Sequence, residues 1–184
     1  MALATGGALV LAKQQPTIAN GLRPVTASIQ AAQSFDLKAD TLKTAQAEAK
    51  RTGTAQAVEV AFNEEELTSK ASQATGPIGD TGLAAEDTQV HLVGGNIVAT
   101  SVVTVQGISI SVGIVATPAV EGGATKIVIR DIQTGALPLP DAIRQQINAA
   151  VGQAIDPARL GLPVDVSSLT VVGNQLVLKG TAKP

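Results

Sequence analysis

The spacing of apolar residues changes character twice along the chain. Asp40 to Arg51 is rich in Ala, Lys, Glu and Gln, with a thin apolar stripe at Leu42, Ala45 and Ala49. This predicts a helix opened by Asp40 and closed at Gly53, with Lys50 and Arg51 at its negative end. Ala57 to Phe62 alternates, placing Val58, Val60 and Phe62 on one side of a short strand. Asn63-Glu64-Glu65-Glu66 follows directly and predicts a capping box, in which Asn63 receives the Glu66 amide and the Glu66 carboxylate returns to the Asn63 amide. That helix runs to about Ala74, before Gly76-Pro77. From Thr88 the period becomes two. Gln89–Val93 and Ile97–Gln106 flank Gly94-Gly95-Asn96 as a hairpin. Ile108–Val115 alternates, with Ile108, Ile110, Val112 and Ile114 on one face and Ser109, Ser111 and Gly113 on the other; Pro118 is expected to interrupt it. Thr125–Gln133 is the next strand. Val164–Val172 and Gln175–Thr181 form a last hairpin around Gly173-Asn174. Its likeness to the first hairpin predicts one geometry used at both ends of one sheet.

A single helical stretch interrupts this β pattern. In Leu137–Ile155, residues Ile143, Ile147, Ala150, Val151 and Ala154 share one helical face, and Arg144, Gln145, Gln146, Asn148 and Gln153 fall mostly on the other. Pro140 suits the first turn, Asp141 suits the positive end of the helix dipole, and Pro157 blocks continuation. About 15 residues give roughly 22 Å of helix, enough to lie across a sheet. The predicted fold class is α+β: a curved antiparallel sheet of about six strands packed on this long amphipathic helix, with additional N-terminal helices. Adjacent aliphatics such as Val102-Val103 and Ile127-Val128-Ile129 give several strands apolar residues on both faces, so a second cover is needed: the N-terminal helices, a partner or a lipid.

The chain has 184 residues, which divide into residues 1–34, an apolar run and linker, and residues 35–184, a single α+β domain. Ala2 to Ala12 is apolar but too short to span a bilayer, and no basic residues precede it. It reads either as the end of an anchor or signal, or as a first strand or frayed terminus. Lys13 to Gln33, punctuated by Pro16 and Pro24, reads as a linker or loosely docked segment in which Thr26–Gln33 has the composition for two helical turns.

Composition narrows the chemistry. Apolar residues make up 45% of the chain, enough for a core, but the only aromatics are Phe35 and Phe62. Stacking platforms for bases or sugars are therefore not expected, and a net charge of −2 without a basic run leaves no nucleic-acid footprint. Cysteine is absent and His91 is the single histidine, so triads and Cys- or His-based metal sites cannot be assembled. His91 reads as a residue of a solvated strand face. The acidic triplet Glu64–Glu66 serves the helix dipole. Asp131, Asp141 and Asp156 carry no spacing that specifies acid–base work. The glycine pairs lie between strands, outside the strand-to-helix setting that cradles phosphate. Neither a cofactor nor a metal is expected, and no enzymatic activity.

From Val58 onward the chain resembles the LmeA-like phospholipid-binding proteins and, more distantly, the YpmS-like proteins, relatives of tubular lipid-binding (TULIP-like) domains. The features that carry this are a strand entering a capped helix (Val58–Ser69), the hairpin Val90–Val103, the Gly-Ala-Leu-Pro-Leu-Pro lead-in at Gly135–Pro140, the Leu160–Val164 segment and a final Gly-Asn hairpin. The resemblance implies non-catalytic binding of lipid or another apolar ligand at the bacterial cell envelope or outside the cell. A membrane surface, a protein partner or a second copy are further partners it allows. The implied groove lies between sheet and helix, lined by Ile108, Ile110, Val112, Ile114, Ile127, Ile129, Ile143, Ile147 and Val151, with Arg130 and Arg144 at its mouth for a headgroup. The rival expectation is a structural or adaptor domain of the envelope whose apolar sheet face binds a protein.

Overall fold

The structure, a computed structural model, describes residues 15–73, 76–77, 83–105, 108–121, 124–135, 141, 145 and 164–184. It is α+β, with two antiparallel sheets and two α-helices described end to end, besides the 3-10 turn Thr17–Ala19. The helices are α1 (Ile29–Thr52) and α2 (Glu64–Gln73). The strands are β1 (Gln56–Asn63), β2 (Gly76–Pro77), β3 (Leu83–Val93), β4 (Asn96–Val105), β5 (Ile108–Glu121), β6 (Ala124–Thr134), β7 (Asp165–Val172) and β8 (Gln175–Ala182). One sheet has the order β1-β8-β7 and the other β2-β3-β4-β5-β6. The expected single sheet of about six strands is thus two sheets, and the two similar hairpins belong to different ones. The helix expected at Leu137–Ile155, with Ile143, Arg144, Ile147 and Val151, lies outside the described residues except for Asp141 and Gln145, both helical and exposed.

Helix α1 starts eleven residues before the expected Asp40. Ser28 caps it, its Oγ accepting the Ala31 N–H at 3.1 Å. Gly53 closes it with φ +66°, a conformation glycine adopts without steric penalty. The helix runs unbroken through residues 34 and 35, so the expected domain boundary falls inside it. Its thin stripe is sufficient because Ala is small and lets α1 approach the three-stranded sheet closely. Leu42 and Ala49 are buried there with Val60, Phe62, Val166, Leu169, Leu178 and Ala182. Phe35 and Phe62, the chain's two aromatics, meet in this core with ring centroids 4.6 Å apart. The register sets the face: Val60 pairs with Leu178 and Phe62 with Leu176.

The hairpins follow their turn chemistry. Gly94 (φ +57°) and Gly95 (φ +83°) join Val93 to its partner Asn96; Gly173 (φ +58°) and Asn174 join Val172 to Gln175. Pro118 does not interrupt β5, which continues to Glu121. Pairing of β5 with β4 ends at Ala116–Ile97, so at Pro118 the strand is bonded only to β6, and a missing N–H is tolerated there. β7 packs against β5 and β6, and Ile127 of β6 reaches the core cluster of the other sheet.

Helix α2 closes the edge of β3. Along most of its length β3 is paired only with β4, because β2 covers just Ala84 and Ala85. Glu64, Thr68 and Ser72 recur at i, i+4 and i+8 on α2 and meet the free edge. Glu64 Oε1 accepts the Leu92 N–H at 2.6 Å. Thr68 Oγ1 accepts the Val90 N–H at 2.9 Å and donates to the Val90 carbonyl at 3.2 Å. Ser72 Oγ donates to the Thr88 carbonyl at 3.3 Å. A row of side chains thus replaces the missing strand. The capping box that starts α2 is the expected one: the Glu66 N–H donates to Asn63 Oδ1 at 2.8 Å and the Asn63 N–H to Glu66 Oε2 at 3.0 Å.

Candidate functional site

The five-stranded sheet has two chemically different faces. Alternation and register put Ile110, Val112 and Ile114 of β5 on one of them, with Val103 opposite Ile110 and Ile132 opposite Ile114. Ala116 pairs with Ile129, and Pro118 with Ile127, so the two isoleucines of β6 join the same face. Val112 and Ala116 are buried, and Ile110, Ile114, Ile127 and Ile129 are half-buried. Five of the expected groove residues are therefore neighbours on one surface. Ile108 belongs to β5 and pairs with Val105. The remaining three, Ile143, Ile147 and Val151, lie outside the described residues, and so does Arg144.

Arg130 stands apart from that surface. It is the extra residue of a bulge in β6, where Val115 pairs with Asp131 and Ala116 with Ile129. The exposed guanidinium donates through Nε to Thr117 Oγ1 at 3.2 Å. Thr117 alternates with Gly113 and Ser111, so it belongs to the face opposite the isoleucines.

That opposite face is mixed, with Gln89, His91, Thr100, Ser111 and Gln133 beside Val98, Val102 and Val115, and residues 15–28 cross it as a strap. Gln89, Thr100, Gly113 and Gln133 form one cross-strand row through β3, β4, β5 and β6. The strap lies along this row. Gln133 Oε1 accepts the Ile18 N–H at 3.1 Å at one end, and Gln89 Oε1 accepts the Val25 N–H at 3.2 Å at the other. Between them, Ile18 and Pro16 fill the space above Gly113: a Cβ built there would stand 2.5 Å from Ile18 Cδ1 and 2.9 Å from Pro16 Cγ. The strap then reaches α2, where the Ser28 N–H donates to Ser69 Oγ at 2.9 Å. The segment, expected to be a linker or loosely docked, is docked at three points. One signal of it was present: a glycine in the middle of an alternating strand marks close approach by another chain segment.

His91 lies on this face under the strap and is 4% exposed, which overturns the expectation of a solvated strand position. Alternation sets it on the face opposite the isoleucines, and there it is buried beside the strap. Burial pushes its pKa below the ordinary imidazole value, and the Glu64 carboxylate opposes this only in part. Between strap and sheet is a cavity of about 460 Å³, with Leu22, Pro24 and Val25 above and His91, Thr100 and Ser111 below. Its edge holds Asp87, in a left-handed conformation with φ +51°. Asp87 sits in a bulge of β3, where Glu86 pairs with Val102 and Gln89 with Thr100.

The carboxylates considered for acid–base work do not assemble among the described residues. Asp131 is exposed and accepts from Gln133 Nε2 at 2.6 Å, Asp141 is exposed, and Asp156 lies outside the described set. Glu66, 3% exposed, is bound by neighbours. Its carboxylate meets Lys38 Nζ at 2.7 Å and Ser34 Oγ at 2.5 Å. Burial raises its pKa, but the bonds from Lys38, Ser34 and the Asn63 amide outweigh this and hold it below the ordinary carboxylate range. Among the described residues no group of three His, Cys, Asp or Glu side chains is placed to hold a metal ion. No helix among them is long and apolar enough to cross a membrane. No family model, no curated protein and no solved structure matches the chain.

Proposed function

We propose that this protein binds lipid or another apolar ligand, without catalysis, at the bacterial cell envelope, using the aliphatic face of the five-stranded sheet. The observation that carries this reading is the clustering of Ile110, Ile114 and Ile129, all half-buried, around the buried Val112 and Ala116, with Ile127 beside them packed toward the core of the other sheet. Such a surface holds acyl chains by area burial, at about 0.8 kcal/mol for each CH₂ removed from water. It requires no reacting group. The resemblance to LmeA-like proteins supports the same ligand class, with the amphipathic Leu137–Ile155 stretch as the second wall. Arg144 remains the proposed headgroup contact. Arg130 serves that purpose less well, since its partner Thr117 belongs to the other face.

Native mass spectrometry of protein purified without detergent, followed by solvent extraction, is the direct test. The expected result is a bound amphiphile and transfer of a fluorescent phospholipid between vesicles. Ile114→Asp and Ile129→Asp reduce both, whereas Leu37→Asp, at a position 69% exposed on α1, changes neither. Absence of any amphiphile, together with absence of transfer, overturns the reading. A stable dimer by sedimentation in that case assigns the same face to a protein contact, as in a structural or adaptor domain.

A further inference from the structure

We propose that the cavity beneath the strap, on the face opposite the isoleucines, is a binding site for a small uncharged polyol. Three polar side chains of the sheet face line it without a hydrogen bond to any described residue: His91, Thr100 and Ser111. They come from three adjacent strands. Thr100 pairs with Gly113, two positions along β5 from Ser111, and His91 follows Gln89, the other partner of Thr100, by two positions on β3. Among the described residues the buried imidazole donates and accepts no hydrogen bond, and the Glu64 carboxylate acts on it only electrostatically. A ligand hydroxyl supplies the bond it lacks.

The chemistry of the lining selects the class. Among the described residues no Lys or Arg lines the cavity, and the carboxylates found there are Asp87 at its edge and Glu64 close to His91. An anion finds no counter-charge there and meets negative neighbours. A cation finds one exposed carboxylate, which solvent screens. The neutral imidazole has one donor and one acceptor, and each hydroxyl offers both, which matches the paired donor and acceptor character of alcohol groups. With no aromatic side chain in the lining, a ligand held by ring stacking is disfavoured. Leu22, Pro24 and Val25 in the roof supply aliphatic contact for the C–H surfaces of the same molecule. The volume of about 460 Å³ lies within the span of small-molecule sites, roughly 300–1,000 Å³. The strap bonds to the sheet at Gln133 and Gln89, so the span between them forms a roof over a site that stays partly open to solvent.

The single histidine gives the test its reporter, because its ring C–H signals in a proton–carbon NMR spectrum belong to one residue. The full chain is titrated with sorbitol and with glucose, and separately with inorganic phosphate and tetramethylammonium. The expected result is a saturable shift of the His91 signals with at least one polyol and none with either ion. Thr100→Val and Ser111→Ala, which keep shape and remove one hydroxyl each, weaken polyol binding by about three- to tenfold. Unchanged circular dichroism shows that the fold persists in these variants. Three results overturn the proposal: no saturable shift from either polyol, a response to phosphate or tetramethylammonium of equal size, or binding unaltered in both variants. The measurement does not involve the isoleucine face, so it stands or falls separately from lipid binding.

Discussion

At the scale of single residues, two buried titratable groups set the response to acid. Glu66 is held ionised by Lys38, Ser34 and the Asn63 amide, so its pKa is lower in the folded than in the unfolded chain. The stability it supplies is present above the ordinary carboxylate value, about 4.3, and is lost as pH falls through the folded one. Glu66→Ala removes the capping box and leaves Lys38 with only the Ala61 carbonyl. The expected cost in urea unfolding at neutral pH is about 2–4 kcal/mol, towards the low end because Lys38 is partly solvated. His91 also has a lowered pKa, but it is the neutral form that burial favours. As pH drops below about 6.5, the unfolded chain takes up the proton before the folded one does, so stability falls from there down to the folded pKa. Acid unfolding should therefore show two windows. His91→Phe flattens the upper window and Glu66→Gln the lower, and urea midpoints measured at half-unit pH steps separate them. The charged group near His91 that modulates the upper window is Glu64 on α2.

At the scale of elements, α2 acts as a stand-in strand. Thr68→Val keeps the volume and deletes both bonds to Val90, leaving a donor and an acceptor without partners. The expected loss is about 1–3 kcal/mol. Amide exchange should reveal it as faster exchange at Val90 and Leu92 before any change in β5. The exposed edge should also raise the tendency to aggregate, which light scattering measures. The strap depends on Gly113 in a comparable way. Gly113→Ala forces Ile18 and Pro16 off the sheet, at about 1–3 kcal/mol. Limited proteolysis should then nick residues 15–28 at enzyme concentrations that leave the wild-type chain whole. How much of this was legible depends on how local each signal is. The capping box of α2 and the glycine turns of both hairpins are written within a few neighbouring residues, and they were read correctly. The start of α1 was missed because Ser28 is as good a cap as Asp40, and the residues between them carry a weak apolar stripe. The strap left no periodic pattern, since main-chain N–H groups and two glutamine amides hold it.

At the scale of the whole molecule, the parting into two sheets rests on pairs distant in sequence. β1 at residues 56–63 pairs with β8 at residues 175–182, and nothing in either hairpin announces that partnership. Local alternation predicts strands, not which edge each one joins. Of the groove residues, alternation found the five that share the isoleucine face, because a face is a local property. The sequence did not reveal that the opposite face is roofed, and the polyol cavity follows from that roof. The two sheets are tied through α2, whose first turn is capped by the last residue of β1 while its stripe bonds to β3. Glu66 adds α1 to the same joint through Ser34 and Lys38. Thermal unfolding of the intact chain should therefore be a single cooperative step by both circular dichroism and calorimetry, and the pair Thr68→Val with Glu66→Gln should split it into two. The manner in which the strap is held has a practical outcome. Its two bonds to the sheet come from backbone amides, which every residue but proline possesses, and Asn20 and Gly21 between them point into solvent. That tip is a natural splice point: a reporter peptide inserted there would sit at the mouth of the chamber, and its mobility would signal whether the chamber is full.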